Sequence, residues 1–502
     1  MNREKQWWPS YPLVRLLTAM IAGMLMYDPD IEIHFVLITV TALLLILASY
    51  RIGKTNGPFL LRMRSLPLLL LFFCTGHHLM FLHDEQEDPY WLGHKAQHGS
   101  DWLAWVTAPT RTTKSGYQAE LQVIAHRNSS SWQPVSGGIW ASCQGPKLQE
   151  GDTILLFRTP VLVPSALRDT NGFWAHLGHR NIHHRIWLRE GDWQLVAPAQ
   201  DHRPSFKARS VIKGVLDSLF LDSTVRDMAG ALLIGERTQL APELKQAYIQ
   251  TGVIHVIAIS GMHLALIYAM LTGILRFMRK GRGQWLYIVI CLGFLWLYAW
   301  ICGSTPSVLR SAWMFSFLLA GEALDREQQT GNSLAAAALV MLCADPALLY
   351  DLGFQLSYAA VASLLIYQQP IRHLCMPENR LLHFCWDLIA TTLAAQVLTT
   401  PLVLYHFGRF PILFLLANLL AVPLSGIILF LLCVACLLYP LGGSGLPALI
   451  AEHMIIFMNS RILGLADTPL ADMGNIHLSL KGLCTAYLLL LSLTLWERSK
   501  KR

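Results

Sequence analysis

Long apolar runs recur along the chain, near 13–27, 33–50, 66–82, 253–277, 285–302, 307–321, 334–349, 352–367, 385–407, 412–438, 446–463 and 482–496. About twenty helical residues cross a hydrocarbon core, so these runs predict membrane spans, and the short or interrupted ones suit re-entrant segments. Between the third and fourth runs the pattern changes. From about 99 to 198 the apolar stretches shorten and alternate with polar residues, as strands do. Tyr117-Gln-Ala-Glu-Leu-Gln-Val-Ile and Gly138-Ile-Trp-Ala-Ser are two of these segments, and Asp152-Thr-Ile-Leu-Leu-Phe-Arg follows a Glu150-Gly151 turn. Arg185-Ile-Trp-Leu-Arg leads to a second turn at Glu190-Gly191-Asp192. About five short strands with one helix near 172–178 predict a small Greek-key barrel of the OB-fold type. The expected fold is a polytopic α-helical membrane protein with this small β-barrel inserted. The expected divisions are a three-helix membrane segment over 1–98, the OB-fold-like domain over 99–200, a linker with interfacial amphipathic helices over 201–252, and a transmembrane helical domain over 253–502. In the linker, Val225 to Arg237 is amphipathic, and Pro242 starts a second helix that Gly252 is placed to end.

Composition agrees with the pattern. Of 502 residues 54% are hydrophobic and 14% charged, with a mean hydropathy of +0.41, too oily for a soluble globular chain. Charge then orients it by the positive-inside rule. Arg3, Lys5 and Arg15 flank the first run, which reads as an uncleaved helix because no small-residue cleavage site follows. An acidic loop after Tyr27 alternates with a basic one holding Arg51, Lys54, Arg62 and Arg64, and then with His83-Asp84-Glu85-Gln86-Glu87-Asp88. Both termini are therefore expected in the cytoplasm, and the β-domain on the outer side of a multi-pass membrane protein. Trp7, Trp8 and Trp496 suit interfacial anchors in contact with membrane lipid. The net charge of +7 is partly this topology signal and does not by itself argue for nucleic acid. Cys143 alone lies in the expected external domain, so no internal disulfide staples it. Cys433 and Cys436 form a C-x-x-C, but among Leu, Val and Ala they read as small hydrophobes.

OB-folds often bind single strands by stacking bases on aromatics beside basic groups. Trp132, Trp140, Trp174 and Trp187 are candidates for stacking, and Arg158, Arg185 and Arg189 for phosphate contacts. The competing reading is that the tryptophans fill the barrel core and the arginines are merely solvated. Within the apolar runs, polar groups are costly and tend to face a partner, a bundle interior or water. His255, Ser260 and His263 stand in one such run and Arg310 in another. Asp351, Gln355 and Ser357 precede Tyr358, while Gln396, Thr399 and Thr400 precede Pro401, and Asn418 lies five residues before Pro423. Proline and glycine beside these residues predict broken helices whose freed backbone lines a cavity.

The His-Ser-His stretch admits several chemistries. An intramembrane hydrolase would use Ser260 as nucleophile and His263, one turn on, as base, yet no oxyanion-hole motif accompanies them. A metal site would use His255 and His263, about 80° apart on a regular helix and without a third ligand, so neither a metal nor another cofactor is expected. The plain alternative is hydrogen-bonded helix packing with Gly261 allowing close approach. Gly53-Lys54-Thr55 ends like a nucleotide-binding loop, but Ala48 stands where its first glycine belongs.

The stretch Gly252-Val-Ile-His255-Val-Ile-Ala-Ile-Ser260-Gly261-Met-His263 resembles the signature of the ComEC family of competence proteins. Pro306-Ser307-Val-Leu-Arg310 is similar to the family's P-S-x-x-R-A element, with Ser311 in place of alanine. Asp345-Pro346, then Asp351-Leu-Gly-Phe-Gln-Leu-Ser-Tyr, resembles another element, and Gln396-Val-Leu-Thr-Thr-Pro401 with Asn418-Leu-Leu-Ala-Val-Pro423 a third. Asn171-Gly172-Phe173 is similar to the family's N-P-G-G-F-D turn without its proline or aspartate. The resemblance implies a channel, not an enzyme, that imports single-stranded DNA across the inner membrane during natural transformation. His255, Ser260, His263 and Arg310 would line the path or hold its broken helices. The implied partners are single-stranded DNA, a periplasmic DNA-delivery protein, and a cytoplasmic ATPase, helicase or strand-binding protein. Many members carry a metallo-β-lactamase-like domain; no H-x-H-x-D-H motif is present in this sequence, so nuclease activity is not expected. A transporter of another solute on the same scaffold is the alternative.

Overall fold

The computed structural model describes residues 11–28, 58–95, 101–113, 116–128, 131–170, 172–198, 204–237, 239–279, 281–324, 329–472 and 476–500. The span expected at 33–50 and the Gly53-Lys54-Thr55 loop lie outside these residues. Among the described residues six helical segments are long and apolar enough to cross a membrane: Leu66–His83, Gln284–Ile301, Arg380–Phe407, Phe414–Leu441, Gly445–Ala466 and Leu480–Glu497. With a mixed β-sheet in the N-terminal half, they make the chain a multi-pass membrane protein carrying a β-domain. It divides into two compact units, one of Met1–Arg203 with Ala338–Asp351, the other of Pro204–Ala337 with Leu352–Arg502.

In the first unit, helices Pro12–Leu25 and Pro58–His83 pack backbone to backbone. A Cβ on Gly23 would fall 1.9 Å from the Phe73 carbonyl oxygen, and one on Gly76 would fall 2.1 Å from that of Met20. Reciprocal glycines are what such an approach requires, because neighbouring apolar side chains gain little from leaving lipid and packing must supply the attraction.

Among the described residues the β-domain has eight strands rather than about five. They are β1 Asp101–Val106, β2 Arg111–Thr113, β3 Gly116–Asn128, β4 Ser131–Cys143, β5 Thr153–Leu156, β6 Val161–Leu162, β7 Ile182–Leu188 and β8 Trp193–Ala197. The order is β6-β7-β4-β3-β1-β5-β8, with β2 on β3. All pairs are antiparallel except β4 with β7. Alternation decides what is buried: Trp102, Ala104 and Val106 of β1 point inward with Leu121, Ile139, Ile154 and Leu188. Two helices, Ser165–Thr170 and Gly172–His179, precede β7 where one was expected. Cys143 is buried and free, and burial pushes its thiol up to about 12. In the native protein at pH 8, Cys143 should therefore resist a maleimide and react only once denaturant opens the sheet. Prompt labelling of the folded protein, located by peptide mapping, would contradict this packing.

In the second unit, one apolar cluster joins helices Ser223–Ile234, Pro242–Gln250, Phe414–Leu438 and Gly445–Ala466. Another joins Gly261–Ile274, Gln284–Ile301 and Pro306–Ala323. The Ser223–Ile234 helix is not the interfacial element expected from its sequence. Met228 to Ile234 are all buried, whereas an interfacial helix keeps one face wet. Ala229 and Ala231 are among the fully buried residues that pack there. Pro242 does begin the next helix at its first turn, and Gly252 follows it at φ +78°. A Cβ there would meet Pro411 Cγ at 2.5 Å, so both conformation and space demand glycine.

Candidate functional site

The apolar run at 253–277 is not one helix. A single turn, Ile254–Ile257, ends at Ala258, whose ψ of 129° is extended, and a new helix, Gly261–Ile274, starts after Ser260 at ψ 169°. Ser260 is its N-cap. The Ser260 backbone N–H donates to His263 Nδ1 at 3.1 Å, and the Ser260 hydroxyl lies 3.0 Å from the same nitrogen. Since a backbone N–H only donates, Nδ1 carries the lone pair, the ring proton is on Nε2, and the hydroxyl also donates. This is a capping box with histidine in the position usually held by Glu or Gln. The Ser260–His263 pair expected of a hydrolase is thus accounted for by helix initiation. No orienting carboxylate meets Nε2, which has no partner among the described residues. His255 sits on the short preceding turn and is exposed, whereas His263 is buried. No group of three potential metal ligands gathers among the described residues.

Gly261, directly after the cap, is where two motif stretches meet. A Cβ at Gly261 would lie 2.3 Å from Arg310 Nη2 and 2.4 Å from Ser311 Oγ. The guanidinium therefore rests against the glycine backbone. Arg310 is in the second turn of the Pro306–Ala323 helix, whose proline opens it, and is only 5% exposed. Nη1 donates to the Ser357 carbonyl at 2.9 Å, Nη2 to Ser311 Oγ at 3.2 Å, and the guanidinium carbon is 6.0 Å from the Tyr358 ring centre. Ser311 Oγ in turn donates to the Ser307 carbonyl at 3.1 Å, so the serine that departs from the family's alanine adds a bond to the arginine. Nε is buried without a partner, and among the described residues no carboxylate pairs with Arg310. A buried cation held by carbonyl, hydroxyl and π-face keeps its net charge, which favours an approaching anion.

The remaining motif residues do less obvious work. Gln396 Oε1 accepts from Thr399 at 3.3 Å and Thr400 at 3.2 Å within one helix. Pro401 and Pro423 stand inside continuous helices, Arg380–Phe407 and Phe414–Leu438, instead of breaking them. One turn before Pro401 the ladder is rerouted: the Ser363 hydroxyl donates to the Ala394 carbonyl and accepts from Leu398 N–H, and Tyr487 donates to the Leu398 carbonyl at 2.8 Å. Neighbouring hydroxyls thus satisfy backbone groups beside the proline, as membrane helices require. Asn418 is buried with its Oδ1 unpartnered among the described residues. Asp351 and Gln355 are half-buried, Asp351 directly after the short 3₁₀ turn Pro346–Tyr350. Ser363 and Tyr487 carry these bonds without having been singled out, since no spacing rule links them to acceptors 31 and 89 residues away.

In the β-domain the candidate residues separate. Trp140 does not offer a stacking face: it is buried with Leu177 and Ile182, and Trp174 packs partly buried against them. The Gly172–His179 helix covers that side of the sheet. Arg158 is a strut, donating to the Trp187 carbonyl at 3.2 Å and to Asp192 at 3.3 Å. Arg185, Trp187 and Arg189 alternate outward along β7 and beyond its end, and all three are exposed. Neither Arg185 nor Arg189 has an ion pair among the described residues.

The Competence protein family model matches residues 232–500. Among curated relatives, ComE operon protein 3 of Bacillus subtilis (strain 168) is 33% identical over 193 residues, 38% of this chain and 24% of that protein. The uncharacterized protein YcaI of Escherichia coli (strain K12) is 30% identical over 46% of this chain and 31% of its own length. Recombination protein 2 of Haemophilus influenzae is 25% identical over 40% of this chain and 26% of its own. The matches thus span about a quarter to a third of these relatives. No solved structure matches the chain.

Proposed function

Because this chain belongs to the competence protein family, we propose that it is an inner-membrane DNA-uptake channel that passes one strand from periplasm to cytoplasm. The observation that carries this reading is the meeting of three motif stretches, at Gly261, Arg310 and Ser357, on one buried guanidinium inside the matched segment. Each phosphate of a strand is charged, so its path through lipid must be hydrated and lined by polar or basic groups. His255, Ser260, His263 and Arg310 are the proposed lining or the fastenings of the interrupted helix beside it. Asp351, Gln355, Ser357, Gln396, Thr400, Pro401, Asn418 and Pro423 are proposed to shape the surrounding helices. Moving anions inward opposes an inside-negative potential at about 2.3 kcal/mol per charge per 100 mV. A cytoplasmic ATPase, helicase or strand-binding protein must therefore pull, and a periplasmic protein must deliver the DNA.

The sheet supports an OB-like reading of a periplasmic β-domain: β1, β3 and β4 form a meander, β5 flanks β1, and β7 returns parallel beside β4. Its proposed strand-binding face is Arg185, Trp187 and Arg189. With the full-length protein in nanodiscs, Trp187→Ala should weaken oligonucleotide binding by about 1–3 kcal/mol, the value of one stacked base. The Arg185→Ala/Arg189→Ala pair should flatten the log–log salt dependence by about 1.4, from two lost phosphate contacts on a single strand. An unchanged slope would remove this face from the proposal.

The decisive test follows fluorescent double-stranded DNA in transformable cells lacking this chain. Signal that enters the periplasm but reaches the cytoplasm only after complementation supports the channel. Undiminished cytoplasmic signal without the chain refutes it.

A further inference from the structure

Beside the Gly261–Ile274 helix is a cavity of about 430 Å³, lined by Met262, His263, Leu266, Pro423, Gly426 and Phe430 among others. The volume is in the ~300–1,000 Å³ range of small-molecule sites. Its lining excludes the proposed cargo, because His263 is the one polar side chain in the wall and a phosphate would meet hydrocarbon everywhere else. The mouth is apolar as well: Met262 is 38% exposed, Ile427 49% and Phe430 43%. The last two stand on Phe414–Leu441, a segment long and apolar enough to cross a membrane, where exposed side chains face acyl chains.

Water is a poor occupant of a cavity with a single polar neighbour, and that neighbour has its Nδ1 taken by Ser260 and its Nε2 enclosed within the wall. We propose that this cavity is a lipid site: it takes one acyl chain of a membrane phospholipid. The site would tie the start of the Gly261 helix, and hence the glycine against Arg310, to the surrounding bilayer. This inference does not depend on what the channel carries.

The test uses the full chain in nanodiscs containing a phosphatidylcholine with a diazirine in one acyl chain, and maps photo-crosslinks by mass spectrometry. Labelling should concentrate on Met262, Leu266 and Phe430. Gly426 faces open space, with nothing within 4 Å of an added Cβ, so Gly426→Leu fills the cavity from the opposite helix without touching the Ser260–His263 bonds. It should cut labelling there roughly tenfold, the scale of a single site occluded by about 1.4 kcal/mol. Labelling at these residues no stronger than on exposed Leu488 and Leu489, or undiminished by a folded Gly426→Leu protein, overturns the site.

Discussion

Arg310→Met is expected to lower transformation by about 10–100-fold while the protein remains in the membrane at its normal level with an unchanged or higher melting temperature. The two halves of that result have separate causes. Loss of function follows from losing the cation that the proposed path offers to a phosphate, a charge-assisted hydrogen bond worth about 1.5–3 kcal/mol. Retained stability follows from its surroundings: the guanidinium is buried, held by one carbonyl and one hydroxyl, and no described carboxylate pays back its desolvation. Apolar replacements of similar volume at buried charged sites are often neutral or stabilising. Arg310→Lys should fall between, because a single ammonium cannot reach Ser357 and Ser311 with the same planar fork. The measurements are transformation frequency, membrane abundance and a thermal melt of the purified protein. A methionine variant that fails to accumulate would make Arg310 a structural strut and detach it from transport.

Gly261→Ala should be among the most damaging single-methyl additions in the helical unit. The new Cβ would fall 2.3 Å from Arg310 Nη2 and 2.4 Å from Ser311 Oγ, and overpacking of this kind costs about 1–3 kcal/mol. Because the obstacle is the arginine itself, Gly261→Ala combined with Arg310→Ala should be less destabilised than the sum of the two single changes, by about 0.5–3 kcal/mol. Strict additivity would mean that the contact is not what makes glycine necessary at 261. Melting temperatures of the four proteins in the cycle decide it.

Much of the architecture was legible because it depends on local, one-dimensional signals. The six long apolar helices follow from length and composition, and the Pro242 helix start with its Gly252 end follows from backbone chemistry. What escaped depends on contacts. A break in the 253–277 run was expected from the glycines beside its polar residues, but Ile257, Ala258 and Ile259 are as apolar as the helices around them, so nothing in their composition marks its position. The strand count came out low because β2 and β6, three and two residues long, are too short to show any alternation, whereas β3 and β4 show it over thirteen residues despite an interruption at Val123 to Ala125. Trp140 looked available for stacking until the Gly172–His179 helix was seen to cover it. The candidate residues were named individually, but their meeting at Arg310 joins positions 47 residues apart, and no periodicity encodes that.

That separation has a consequence for how the protein is made. At about 5–20 residues per second, the chain between Arg310 and Ser357 takes about 2–10 s to synthesise. For that interval the guanidinium has left the ribosome without its main-chain acceptor. Its place in the second turn of its helix, instead of the middle, lets the long side chain reach back toward the headgroups while it waits. The order of synthesis therefore puts the glycine seat and the arginine in place first, and the arrival of the Leu352–Arg372 helix closes the assembly.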